Sequence, residues 1–475
     1  GLGTPDIHGS YGIFSYFTDD PAEKPRSVSG GQVERVAVED GQVHGALRGP
    51  KNTFSVNGAK SDVPFTVYAD PHSDSVKIVI QDHELVLKAK EWSDWVAVKF
   101  PMLPHLVSTS GICRFYLKSA HGPFALYVSP VNISPADPDL PICAPPGYAR
   151  ELVKDVGLFY TQGMAEDTAA LSAGVFDDDE YRAQATFVLD ESFRIFNHEF
   201  ARFRRGFFFF YFSTLDLNQH MFWRTLDRDH PLYSRKLAEK QGDFLPWLYG
   251  RTDEAIGTAL DAADERTLVL AVSDHGFTSF RRQFNLNSWL MDNGYAQPVN
   301  ASDRAEASFF TNTDWAATRA YGLGINGLYL NREGREAYGT VGAGEVEALT
   351  AELVERLKAV RDPKTGEPII ANVHRRSEVY SGPCVADAPD LVVGYNRNYR
   401  ASWDTVLGKY PQEHVLDNLD PWSGDHTMDP SFLPGVLLSS RPVAAADPGL
   451  EDMAPTILKE FGAPVPTEMT GKAVL

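Results

Sequence analysis

Phe207-Phe208-Phe209-Phe210-Tyr211-Phe212-Ser213-Thr214-Leu215-Asp216-Leu217-Asn218-Gln219-His220 sets an unbroken aromatic run before an aspartate and a histidine. A run of this kind reads as a buried parallel strand. Polar groups just past the carboxyl end of such a strand lie where open α/β sheets bind ligands. The same design recurs downstream. Leu268-Val269-Leu270-Ala271-Val272 is followed by Ser273-Asp274-His275-Gly276, and Ser423-Gly424-Asp425-His426-Thr427 supplies one more histidine. Asp216, His220, Asp274, His275 and His426 are therefore the candidate oxygen and nitrogen ligands of a metal site.

Their spacing suits that chemistry. Asp216 and His220 are four residues apart, so a helix following the strand places both on one face, where they can grip one ion. Asp274 and His275 are adjacent on a loop, which lets their side chains diverge. One can approach each of two ions, or both can hold one. His426 comes from a distant loop, as expected of a site assembled at a sheet edge. Asp and His donors without cysteine suit Zn²⁺ or Mn²⁺ rather than iron–sulfur chemistry. An isolated Asp-x-x-x-His carries little weight; three such pieces in order carry the argument.

Around these pieces the pattern predicts an α/β fold, with a mostly parallel sheet covered by helices on both faces and an all-β insert. The helical signals include Asp177-Asp178-Asp179-Glu180, which caps a helix running to about Arg204. Thr252 to Ala263, Glu345 to Val360 and Glu451 to Phe461 are further helices. Thr267 to Val272, Leu328 to Leu330, Asp390 to Val393 and Gly435 to Leu438 read as strands. From about residue 30 to 133 the pattern changes to short alternating strands, including a hairpin at Asp40-Gly41. Proline and aspartate then cluster at Ser134-Pro135-Ala136-Asp137-Pro138, a boundary signal. The division predicted is thus a β-rich insert or lid at 30–133 and a metal-binding α/β core at 134–475.

Composition narrows the function classes. The chain has 475 residues, 43% of them hydrophobic, enough for a substantial core. Its formal net charge of −20 argues against a nucleic-acid polymer as partner. An anionic substrate would need a local positive centre, which metal ions provide. The three cysteines are too few for a disulfide framework. No stretch approaches the ~20 apolar residues of a membrane span, so a soluble protein is expected. The chain opens Gly1-Leu2-Gly3-Thr4-Pro5-Asp6 without a methionine, so no targeting region can be read from it.

The run Thr267 to Phe277 resembles the metal-ligand strand of the alkaline phosphatase superfamily. The sequence is most similar to its type I phosphodiesterase and nucleotide pyrophosphatase branch, and resembles bacterial proteins described as predicted phosphohydrolases or phosphomutases. Phe207 to His220, Ala388-Pro389-Asp390-Leu391-Val392-Val393-Gly394, and Ala454-Pro455-Thr456-Ile457-Leu458 with Gly462, Pro464, Val465 and Pro466 carry the resemblance, which covers most of residues 134–475. It implies two divalent ions, Zn²⁺ foremost and Mn²⁺ as the alternative. Asp216, His220 and His426 would hold one; Asp274 and His275 would hold the other. It also implies a further Asp ligand and a Thr or Ser nucleophile near the N-terminus. Thr4 and Ser10 follow no suitable strand, so both groups are expected upstream of Gly1. Residues 1–29 are then the remnant of the N-terminal part of the α/β core, and the chain as it stands is expected to bind metal weakly and hydrolyse little. The function implied is a two-metal phosphoester hydrolase acting on a small phosphorylated substrate. A phosphomutase or phosphonate-cleaving relative, or a non-catalytic metal-binding member, would share the same ligands.

Other motifs read as structure. Cys143-Ala144-Pro145-Pro146-Gly147 resembles the start of a sulfatase signature, but Gly147 stands where arginine is required, so a loop cysteine is the better reading. His198-Glu199 lacks the second histidine of a zinc-protease helix. Gly339, Gly342 and Gly344 follow no cofactor strand. His230, before Pro231, reads as loop packing, and Trp92 and Trp95 as core.

Overall fold

The computed structural model describes residues 13–28, 30–50, 61–103 and 106–475. Thr4, Ser10 and the rest of the opening segment lie outside the described residues. The chain divides into two compact units, residues 1–217 and 218–475.

The first unit is built on alternation. Val63–Ala69 buries Val63, Phe65 and Val67 while Pro64 and Tyr68 face outward, the period-two pattern of a half-buried strand. It sits in an antiparallel meander of five strands, Val38–Glu39, Gln42–Leu47, Val63–Ala69, Ser75–Ile80 and His83–Lys88. A six-stranded sheet has Phe14–Thr18 inside it. That strand runs parallel to Gly31–Arg35 and antiparallel to Ala125–Val128. The core gathers Phe17, Val67, Ile78, Val98, Phe100 and Phe115 from these strands, with Leu152 and Phe159 from beyond residue 133. Trp92 packs edge and face against Tyr116, Tyr127 and Phe176, the core role its sequence suggests. The predicted capped helix is Asp178–Arg202, closed by a reciprocal pair in which the Asp177 carboxylate accepts from the Glu180 amide and the Glu180 carboxylate from the Asp177 amide.

The second unit is mixed. One four-stranded antiparallel sheet runs Ala320–Leu323, Gly327–Leu330, Leu391–Tyr395, Ile370–Arg375. Val346–Lys358 packs on it through Leu349, Leu353 and Leu357, spaced as one helix face requires. Thr278–Phe284 is the strand that matters for the site. It pairs with Asn398–Ala401 on one side, and with Val415–Asp417 and Gly424–Asp425 on the other. Leu270–Val272 forms a two-stranded antiparallel sheet with Leu437–Ser439.

Helices and strands coexist as an α/β reading requires, but a mostly parallel sheet is not what forms. Among the described residues only Phe14–Thr18 with Gly31–Arg35 and Thr278–Phe284 with Asn398–Ala401 are parallel strand pairs. The others are antiparallel, some between neighbours joined by short turns, as in the five-stranded meander, and some between distant segments, as Leu270–Val272 with Leu437–Ser439. The aromatic run is the plainest departure. Residues 207–213 are in neither helix nor strand. Phe208, Phe210 and Phe212 pack on Phe196 of the long helix, whereas Phe207, Phe209 and Tyr211 are 59%, 74% and 65% exposed. The segment is extended and one-sided, not a two-sided buried strand. All three cysteines are free. Among the described residues no helix is long and apolar enough to cross a membrane.

Candidate metal centre

The helix Thr214–Phe222 begins immediately after the aromatic run. Asp216 lies in its first turn and His220 in its last, one turn apart on one face. The single helix Thr214–Phe222 carries both residues. His220 is buried at 2% exposure. Its Nδ1 lies 2.7 Å from the carbonyl oxygen of Gly424. A carbonyl can only accept, so Nδ1 carries the proton and Nε2 keeps its lone pair, the tautomer a metal ligand needs. The indole of Trp422 stacks on the ring at 3.7 Å between centroids. Burial, more than any charge nearby, pushes the imidazole's pKa down and holds it neutral.

The partner segment is fastened to the end of that helix. The Ser423 amide donates to the His220 carbonyl at 2.6 Å, and the Arg224 amide donates to Ser423 Oγ at 3.0 Å. Gly424 is needed for so close an approach. A Cβ there would meet the Gln219 carbonyl at 2.7 Å and Trp223 Cβ at 2.9 Å. Asp425 follows, fully buried. Its carboxylate takes a 2.8 Å ion pair from Arg400, itself 1% exposed, and a hydrogen bond from Trp422 Nε1 at 2.8 Å. The other oxygen accepts from the His426 amide at 2.7 Å and from the Thr427 amide at 2.9 Å. Burial alone would raise the Asp425 pKa; the Arg400 charge and these hydrogen bonds outweigh it and hold the carboxylate ionised. Asp425 thereby sets the backbone from which His426 projects.

Donor atoms of Asp216, His220 and His426 all lie within 4.8 Å of one another. Two imidazoles and a carboxylate at that spacing fit a single divalent cation of the zinc or manganese type. His275 lies against this group. Its ring stacks on that of His426 at 3.7 Å between centroids, the two planes nearly parallel at 14°. Asp274 comes next, its Oδ2 3.5 Å from His275 Nε2 and its side chain 64% exposed. Phe277 closes the group on an apolar side, 4.7 Å from the His220 ring and 5.3 Å from that of His426. The strand Thr278–Phe284 that starts here pairs Thr278 with Asp425, which is why the second and third motifs meet.

Several contributors were not assigned from the sequence. Asp425 stood in plain view beside His426. Arg400 and Trp422 carried no signal, because only folding puts them behind Asp425. Glu166, in the first unit, is 3% exposed. Neither of its carboxylate oxygens makes a hydrogen bond of normal geometry. Burial first, with the Asp216 carboxylate adding to it, pushes its pKa up to about 7 against the Thr214 side chain's pull downward. The residues set aside behave as structure. His230 Nε2 faces the Phe280 carbonyl at 3.0 Å and its Nδ1 accepts from the Leu232 amide at 3.1 Å, leaving no ring nitrogen for a ligand. The Cys143 thiol accepts from the Ala149 amide at 3.3 Å, at the start of the helix Tyr148–Val156.

No curated protein and no solved structure shows significant similarity to the chain. The family model for type I phosphodiesterase / nucleotide pyrophosphatase matches residues 69–405. That span holds the helix with Asp216 and His220, the loop with Asp274 and His275, and Arg400. It covers well over half of the sequence, and the chain belongs to the type I phosphodiesterase/nucleotide pyrophosphatase family of the alkaline phosphatase superfamily.

Proposed function

We propose that this protein is a metal-dependent phosphoester hydrolase that cleaves a phosphodiester or pyrophosphate bond in a small phosphorylated substrate. The observation that carries this reading is the convergence of Asp216, His220 and His426 on a space one cation would fill. In this reading Asp216, His220 and His426 hold one ion, and Asp274 with His275 hold a second beside it. Bound there, divalent ions would polarise phosphoryl oxygens and lower the pKa of a coordinated hydroxyl or water.

The chain's own residues supply the rest. Gly424 fixes the His220 tautomer through its carbonyl. Asp425 and Arg400 fix the His426 backbone. Trp422 and Phe277 shield the imidazole faces from water, which strengthens any electrostatic interaction made at their edges. Asp274, exposed next to His275, is the acidic group open to an incoming ion. The attacking group is a Thr or Ser of the N-terminal part of the family's catalytic core, which the described residues do not identify.

The test is hydrolysis of a chromogenic phosphodiester, a phosphomonoester and a dinucleotide pyrophosphate by full-length protein that carries the N-terminal nucleophile segment, loaded with Zn²⁺ or Mn²⁺, before and after chelation. The proposal expects at least one to be cleaved, with loss on chelation and recovery on re-addition. Hydrolysis that survives chelation, or metal-loaded protein inert on all three, overturns it; the inert outcome favours a non-catalytic metal-binding member.

A further inference from the structure

Three arginines of the second unit converge on one buried carboxylate. Leu391, the first residue of the strand Leu391–Tyr395, pairs with Leu328 on one side and with Arg375 on the other. Antiparallel pairing therefore brings the turn after Leu330 and the residue after Arg375 to Asp390, which precedes that strand. Arg332, Arg335 and Arg376 each direct a guanidinium nitrogen at its carboxylate, at 3.4, 2.7 and 3.5 Å. The Asp390 side chain is 3% exposed, whereas those of the arginines are 27%, 18% and 19% exposed and reach solvent.

One carboxylate cannot satisfy three guanidinium groups. Its Oδ2 accepts from Arg335 at 2.7 Å and from the Leu330 amide at 2.9 Å. Arg332 and Arg376 both approach the remaining Oδ1, at distances beyond the roughly 2.7–2.9 Å of a charge-assisted hydrogen bond. Among the described residues, Glu336 is the one other acid in ionic contact with these arginines. It pairs with Arg335 at 2.7 Å and also accepts from the Tyr321 hydroxyl and the Arg332 amide. Three cations thus meet two anions, in a chain whose net charge is −20. Donors are left over as well. Among the described residues the Arg332 side chain bonds only to Asp390, and Arg376 adds only the Ala386 carbonyl at 3.2 Å. Arg335 Nη1 is buried and has no acceptor. Like charges held together at this range repel one another unless an anion joins them.

We propose that Arg332, Arg335 and Arg376 form a binding site for the phosphate group of a small molecule, with Arg332 and Arg376 as its main donors and Asp390 holding the guanidinium groups in place. The planar fork of an arginine matches two oxygens of a phosphate, and the group's negative charge offsets the excess positive charge. This site is separate from the candidate metal centre and does not rest on the metal reading. The strand Leu391–Tyr395 meets the segment that follows His426 further along, where Asn326 Nδ2 donates to the Val393 and Thr427 carbonyls at 2.7 and 3.0 Å. Asp390 precedes Val393 by about 10 Å of strand.

The experiment titrates the metal-free chain with inorganic phosphate and with glycerol phosphate by calorimetry at low ionic strength, and follows urea unfolding with and without phosphate. Saturable binding of both probes by the parent is expected, weakening as salt is added. Arg332→Gln and Arg376→Gln should each bind roughly 10- to 100-fold more weakly. Phosphate should raise the urea midpoint of the parent more than that of either variant. Arg332→Lys, which keeps the charge and loses the fork, should fall between. No binding by the parent at millimolar phosphate overturns the proposal, as does undiminished binding in both glutamine variants. Binding of inorganic phosphate without binding of the ester overturns the assignment to a phosphorylated molecule. If the glutamine variants do not fold, parent-like affinity in Arg332→Lys overturns the site equally.

Discussion

The Nδ1 atom of His220 lies 2.7 Å from the carbonyl oxygen of Gly424, although 204 residues separate them in the chain. This one contact joins the first and third sequence motifs. It also decides the chemistry of His220, because a ring that donates from Nδ1 offers Nε2 to a cation. The contact depends on residue 424 having no side chain.

Gly424→Ala should therefore weaken the centre. The new Cβ would press on the Gln219 carbonyl and on Trp223, and the segment must retreat from the helix. Overpacking of this kind costs about 1–3 kcal/mol, and misorienting a ligating histidine costs roughly 10- to 100-fold in metal affinity. Calorimetric titration with Zn²⁺, paired with urea unfolding of the apo form, reads both. Parent-like metal affinity would show that the Gly424 carbonyl does not set His220.

The buried pair Arg400–Asp425 makes a second prediction. Arg400→Ala leaves the Asp425 carboxylate buried without its counter-charge, a loss of about 3–5 kcal/mol. Asp425→Asn in the same background should return part of it, since the orphaned charge is then gone. Chemical denaturation of the two variants checks the difference. Equal stability of Arg400→Ala and the parent would mean that water reaches Asp425.

Acid stability gives a third. Asp362 is fully buried at its side chain, and Arg282 grips it twice, at 2.7 and 2.9 Å. Burial alone would raise its pKa, but Arg282, the Lys364 amide and Tyr399 outweigh it and hold the value below the ordinary 3.8. The folded pKa is thus below the unfolded one. The stabilisation is complete above the unfolded value of about 4 and is lost as pH falls through the folded value. Urea midpoints taken from pH 7 down to pH 2 should fall more gently below about pH 4 in Asp362→Asn than in the parent. Identical acid slopes would exclude this pair as a contributor.

How far the sequence revealed this site depends on how local each feature is. Asp216 and His220 were legible as a pair because a helix makes four-residue neighbours adjacent. Asp274-His275 and His426 were legible as motifs, although their meeting was not: it depends on Thr278 pairing with Asp425. Arg400 is recognisable only once the strands Asn398–Ala401 and Gly424–Asp425 flank Thr278–Phe284. The aromatic run misled for a physical reason. Successive aromatic residues hide a period of two, so the sequence could not show that Phe208, Phe210 and Phe212 face a helix while Phe207 and Phe209 face outward. Strand direction was equally hidden, since helices lying between strands do not fix which strands pair.

The measurement that bears most directly on the central claim is divalent-metal binding by the parent protein, His220→Ala and His426→Ala, titrated with Zn²⁺ and with Mn²⁺ at one pH. The account predicts saturable binding by the parent, and loss of it in both variants with the apo fold retained by circular dichroism. Undiminished binding by either variant, or no binding by the parent, would contradict it.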